Sequence, residues 1–263
     1  MKTKKIIVIA AILAAAAITA ILIIRLFDQK DGRETAVYED MEKAFEQSGL
    51  LAANIGIYSK TEKDDNISYG EGGSGIIFDK KDNTYYALTA AHVVSDQNAQ
   101  LLVFTANTEK KTDDISELSE ATISQETYES MYLADVSHTS TLNDIAIIRF
   151  TAEEDLPLVE FAEANPNIDD RIMCIGNPHN EWFSISYGRV LSKIEQFGGS
   201  HGYPSNAMRH NAYIDVGSSG GAAFNEHMKL VGITPGGSYS LDGKAFHYGT
   251  LIPISEVRKS IEE

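Results

Sequence analysis

The chain has 263 residues, 43% of them hydrophobic, enough for one two-lobed domain or two small ones with a sizeable core. Twenty-two Lys and Arg stand against 38 Asp and Glu, a formal net charge of −16. That balance argues against nucleic acid and anionic membrane surfaces as partners and reads most simply as a solubilising surface. The one cysteine, Cys174, excludes an internal disulfide; within Arg171-Ile172-Met173-Cys174-Ile175-Gly176 it reads as a small residue of a buried strand.

Lys2, Lys4 and Lys5 precede an apolar run from Ile6 to Ile24. As a helix the run would span about 28 Å, close to the hydrocarbon thickness of a bilayer. It is longer than the apolar core of a typical signal peptide, about 7–15 residues. Residues 1–27 therefore read as a cytoplasmic stub and transmembrane anchor. The flanking lysines keep the N-terminus in the cytoplasm and place everything after Arg25 outside, in a single-pass cell-membrane protein. The alternative is a signal peptide cleaved near Ala14 to Ala20, releasing a secreted protein. Residues 28–49 read as a tether and a short amphipathic helix. Val37, Tyr38, Met41, Ala44, Phe45 and Ser48 recur at helical spacing and predict a helix from Val37 to Gln47. Its polar face is acidic, which suits packing on a domain better than lying on a membrane.

From Leu50 the pattern changes to short apolar or alternating runs broken by Gly, Asn and Asp. Strands are predicted over Ala53–Tyr58, Gly75–Phe78, Tyr85–Thr89, Leu101–Thr105, Leu133–Val136 and Ile145–Phe150. More follow over Arg171–Gly176, Ser184–Leu191, Ala212–Val216, Lys229–Thr234 and His247–Ile252. Such a series points to an all-β barrel or sandwich. Ser255 to Ile261 predicts a closing helix. Glu109 to Glu129 reads as an acidic surface excursion, Thr151 to Asp170 as a connection between two halves, and Ile194 to Asn211 as a long loop.

Three stretches carry chemistry. Asp215-Val216-Gly217-Ser218-Ser219-Gly220-Gly221 sets a serine among glycines, which permit the bend that exposes a nucleophilic hydroxyl and aims backbone N–H groups at one point. His92 follows the apolar run Tyr85 to Ala91 and would present a base at a strand end. Asp144 leads directly into Ile145-Ala146-Ile147-Ile148 and could orient an imidazole. Each alone has a plainer meaning: a flexible loop, a structural histidine, a turn aspartate. His138, His179, His201, His210 and His227 lie in polar or loop-like surroundings and read as surface residues; His201 and His210 make a poor metal site.

The order His, Asp, Ser, carried by Thr89-Ala90-Ala91-His92, Asn143-Asp144-Ile145-Ala146 and Gly217-Ser218-Ser219-Gly220-Gly221, resembles the chymotrypsin-like serine peptidases. Gly73-Ser74-Gly75-Ile76-Ile77, Ile175-Gly176-Asn177-Pro178 and Leu251-Ile252-Pro253-Ile254 are similar to segments of the bacterial HtrA/Deg branch, and Phe224-Asn225-Glu226 to Gly237 is similar to the glutamyl endopeptidases. The resemblance covers about Leu50 to Ile261. Position 218 departs from it, being serine where Asn or Asp is usual, and the chain as given shows no PDZ module. It implies a domain over 50–263 with two perpendicular six-stranded barrels, about 50–152 and 166–255. His92 would be the base, Asp144 its orienter and Ser219 the nucleophile, with the N–H groups of Gly217 and Ser219 as oxyanion hole. The primary pocket would have Tyr213 at its base and Thr234, Pro235 and Gly236 on its far wall, favouring small uncharged side chains. No metal or organic cofactor is required. The expected partners are protein or peptide substrates, in protein quality control or regulated proteolysis; an oligomer stays open, and no nucleic acid is expected. The second reading is a non-catalytic binding protein that reuses the fold.

Overall fold

The computed structural model describes residues 35–63, 66–109, 125–140, 142–180, 182–198 and 204–263. The chain forms two units, Met1–Lys43 and Ala44–Glu263. Helix α1 spans 35–48, two residues longer at its start and one at its end than the periodicity predicts. The apolar run from Ile6 to Ile24 lies outside the described residues, as do His201 and most of the acidic excursion. Among the described residues no helix is long and apolar enough to cross a membrane.

The first sheet is a closed barrel of six strands in the order β1-β2-β3-β6-β5-β4. They are β1 (Asn54–Lys63), β2 (Asn66–Lys81), β3 (Thr84–Thr89), β4 (Gln100–Thr105), β5 (Tyr132–Thr139) and β6 (Ala146–Thr151). Two helical turns, α2 (Ala106–Glu109) and α3 (Gln125–Glu129), lie between β4 and β5. Side chains alternate across a strand, so residues two apart face one way. Ile55 and Ile57, Tyr85 and Ala87, Leu101 and Val103, and Ala146, Ile148 and Phe150 accordingly meet in one core.

The second sheet has seven strands, in the order β8-β7-β11-β12-β13-β10-β9. They are β7 (Arg171–Gly176), β8 (Ser184–Arg189), β9 (Glu195–Phe197), β10 (Ser205–His210), β11 (Gly221–Phe224), β12 (Leu230–Tyr239) and β13 (Phe246–Pro253). Ile172, Cys174, Met208, Ile214, Ala223, Val231 and Leu251 share its core. Burial pushes the Cys174 thiol up to about 12, so it stays a protonated core group. Helix α4 (Ile254–Glu262) closes the chain.

Three expectations are corrected here. The second sheet is not a closed six-stranded barrel: it is a seven-stranded sheet in which the chain just after β8 reaches β10 through the bridge Val190↔His210 and a bond from Leu191 N–H to the Arg209 carbonyl at 2.7 Å. Ile194–Asn211 is not a loop: β9 and β10 form a hairpin within it, pairing Phe197 with Ser205. Ala212–Val216 is not a strand, because its backbone turns to enter the loop that carries Ser219. One consequence is that His210, read as a surface residue, is fully buried on β10. Its ring presses on Gly249, where a Cβ would stand 2.3 Å from the imidazole.

Candidate active site

His92 sits in a short 3-10 turn, Ala91–Val94, directly after β3. Asp144 occupies the bend before β6, with its side chain almost fully buried. Its carboxylate grips His92 twice. Oδ1 accepts the His92 backbone N–H at 2.9 Å, and Oδ2 lies 2.6 Å from the imidazole Nδ1. The paired grip fixes the turn and the ring together, leaving Nε2 as the edge aimed away from the carboxylate. The bend is itself held from the second sheet: Asn206 N–H donates to Asn143 Oδ1 at 3.1 Å, and Asn143 Nδ2 lies 3.5 Å from Ser260 Oγ on α4.

Ser219 lies in the loop between Asp215 and Gly221. Its hydroxyl donates to the Pro235 carbonyl at 3.1 Å. Gly217 has φ +96° and Gly220 φ +84°, a region open to glycine but costly for other residues. Gly220 also has no room for a side chain: a Cβ would stand 2.4 Å from Thr89 Oγ1 and 2.7 Å from Ala90 N. The loop that carries Ser219 therefore docks against the strand end that leads into His92. Ser74 N–H donates to the Ser219 carbonyl at 2.8 Å, tightening the same contact.

Ser74 is the hub between the two sheets. Its hydroxyl donates to the Gly217 carbonyl at 2.7 Å and accepts Asn177 N–H at 2.9 Å and Asn177 Nδ2 at 3.1 Å. Asn177 Nδ2 also reaches the Ile55 carbonyl on β1 at 3.1 Å. The sequence marks Ser74 and Asn177 only as parts of resembling segments; neither carried a role.

Ser218, the departure from the resembling families, is buried and caps the turn. Its Oγ accepts Asp215 N–H at 3.2 Å, and its N–H donates to the Asp215 carbonyl at 2.9 Å. The amides of Ser218, Gly220 and Gly221 are all engaged, whereas those of Gly217 and Ser219 meet no acceptor among the described residues. Val216 carbonyl accepts His179 N–H at 2.9 Å. In a trans peptide C=O and N–H point oppositely, so this bond turns the Gly217 N–H to the other side of the loop.

The expected pocket residues divide. Pro235 and Gly236 lie on β12 beyond Thr234, the last residue paired with β11 at that end, so among the described residues one edge of the strand beside Ser219 carries no strand partner. Thr234 is buried, and its hydroxyl faces the carbonyls of Ser218 and Gly221 at 3.1 and 3.3 Å. These contacts brace the loop that carries Ser219. Tyr213 is 51% exposed. Its ring lies edge-on to Phe246 at 5.3 Å and its hydroxyl donates to Asp215. The side chains that crowd Gly237 are Ile214 and Phe246: a Cβ there would stand 3.4 and 3.3 Å from them.

Comparison with known proteins agrees with this architecture. A family model described as a trypsin-like peptidase domain matches residues 73–233, and the chain belongs to that family. It is similar to the "Serine protease HtrA-like" proteins of Staphylococcus aureus strains MRSA252, bovine RF122 and USA300. Each is 24% identical, over 91% of this chain. The chain spans about 30% of the length of these curated relatives.

Proposed function

We propose that the chain is a membrane-anchored, extracytoplasmic serine endopeptidase that cuts protein or peptide substrates through His92, Asp144 and Ser219. The observation that carries this is the double grip of one buried carboxylate on the backbone and ring of His92, next to a serine loop docked on the same strand end. Ser219 Oγ attacks the scissile carbonyl as His92 Nε2 takes its proton; Asp144 stabilises the imidazolium so formed, and His92 returns the proton to the leaving amine. The amides of Gly217 and Ser219 receive the oxyanion, each worth about 3–4 kcal/mol in comparable sites. For this step the Ser219 hydroxyl must leave the Pro235 carbonyl and turn toward His92. The free edge of β12 supports binding of the substrate as an added strand. Ile214 and Phe246 beside Gly237 support a preference for small uncharged side chains before the scissile bond.

A fluorophosphonate probe tests the chemistry. Ser219 should be labelled, Ser219→Ala should be folded and inert, and Ser218→Ala should keep most activity. Folded wild-type protein that stays unlabelled would replace this reading with the binding protein. The topology rests on the three lysines ahead of the Ile6–Ile24 run. Protease added to intact protoplasts should remove the domain; protection until lysis would refute the anchor's orientation.

A further inference from the structure

We propose that His179 is a positioning residue that holds the oxyanion loop, an inference that rests on the peptidase reading above. It follows Pro178 on the connection from β7 to β8 and adopts φ 51°, ψ 31°. That left-handed conformation is strained for a non-glycine residue and persists where its surroundings over-determine it. Here the surroundings are the loop itself. The His179 backbone N–H holds the Val216 carbonyl at 2.9 Å. Its ring Nε2 reaches Asp215 Oδ2 at 3.1 Å, which requires the proton on Nε2. Gly217 packs against the same turn, leaving only 2.3 Å between a notional Cβ and the Asn177 carbonyl.

Asp215 is the loop's own anchor. Oδ2 accepts from the Tyr213 hydroxyl and from His179, and Oδ1 accepts the Val216 N–H at 2.8 Å. Burial opposes its charge, but these donors outweigh it and hold the carboxyl below the ordinary range. Asp215 therefore stays ionised and available to the imidazole. The turn and the ring together fix the peptide whose far side is the Gly217 N–H, and the ring contributes the part that a substitution can remove. Nothing in the His179 side chain touches the reacting atoms; it acts through Asp215 and Val216.

His179→Asn separates these parts, since asparagine tolerates the left-handed backbone and keeps the N–H while losing the ring bond. In that variant, and in Asp215→Asn, kcat should fall roughly tenfold, below the ~100-fold or greater cost of deleting an oxyanion donor outright. KM should stay within about twofold, and affinity for a peptide aldehyde that forms a tetrahedral adduct should fall with kcat. The double variant should be no worse than the poorer single one. Wild-type kcat in His179→Asn, a loss confined to KM, or multiplying effects in the double variant would overturn the proposal. Amide exchange over 215–219 in the Ser219→Ala protein reads the brace without catalysis. His179→Asn should speed it about fivefold or more, and an unchanged rate overturns the brace whether or not the protein is a peptidase. Failure of wild-type labelling by fluorophosphonate, with faster exchange in the variant, would sink the peptidase reading and leave the brace standing.

Discussion

Ser74→Ala removes one oxygen from the junction of the two sheets, and its cost can be worked from the partners it leaves. Ser74 is 1% exposed and Asn177 4%. Without the hydroxyl the Asn177 backbone N–H loses its acceptor in a buried site, and the Gly217 carbonyl loses its donor. A buried group left unpaired costs about 1–3 kcal/mol. Asn177 Nδ2 keeps the Ile55 carbonyl, and Gly217 is partly open to water, which lowers its share. The total should be about 2–4 kcal/mol, a large fraction of the 5–15 kcal/mol that about holds a domain folded. Because one bond ends on Gly217, kcat should fall too, by about tenfold. Urea unfolding in a Ser219→Ala background, which prevents self-digestion, measures the first effect through the midpoint at unchanged slope. Peptide hydrolysis in the active background measures the second. A stability change below about 0.5 kcal/mol with unaltered kcat would refute the reasoning, since it would mean the hub carries neither the junction nor the loop.

Asp144→Asn should lower kcat by about 10⁴ through loss of the oriented tautomer, with the fold retained; residual activity near wild type in steady-state assays would remove Asp144 from the triad. Ile214→Ala should shift cleavage in a peptide library toward larger apolar residues by about 1–3 kcal/mol per methylene accommodated, and an unchanged library profile would discard Ile214 as a pocket filler. Burial of His210 lowers its pKa from 6.5 to about 4. As pH falls from 6.5 to 4 the unfolded chain takes up the proton first, so stability drops with acid across that window, by about 3 kcal/mol at its lower end. His210→Gln should flatten that limb in pH-dependent urea titrations; parallel curves for the two proteins would count against it.

The first barrel was legible because its strands alternate: Tyr85 and Ala87, or Ala146, Ile148 and Phe150, turn one face to a common core at a period of two. The hairpin of β9 and β10 was not. Ser205-Asn206-Ala207-Met208-Arg209-His210 shows no such alternation, and several of its polar residues meet partners elsewhere in the chain. Arg209 pairs with Glu195 at 2.7 Å and lies over the rings of Phe197 and Tyr248. His210 is covered by Gly249 of β13. Ala212–Val216 misled for the opposite reason. Ala212 and Ile214 are both buried two residues apart, as in a strand, but they reach the core of the second sheet from an irregular segment.

The candidate site divides in the same way. His92, Asp144 and Ser219 stand out because the chemistry demands those residue types in flanks that constrain them, a glycine run or the start of a buried strand. Their supports do not stand out, because a brace is defined by where it ends: Ser74 reaches Gly217 across 143 positions and Asn177 across 103. These contacts also change what the two-sheet architecture means for the reaction. If each sheet carried its own residues and merely met the other, a slight sliding between them would separate base from nucleophile, and an ångström would be costly. Instead the Ser219 loop from the second sheet is bonded to β2 of the first through Ser219 carbonyl and Gly217 carbonyl, and its Gly220 is seated on Thr89 and Ala90. In the other direction the bend bearing Asp144 in the first sheet is bonded to β10 and α4 of the second side. Each half thus holds the other's contribution to the site, so small displacements of the sheets carry His92, Asp144 and Ser219 together.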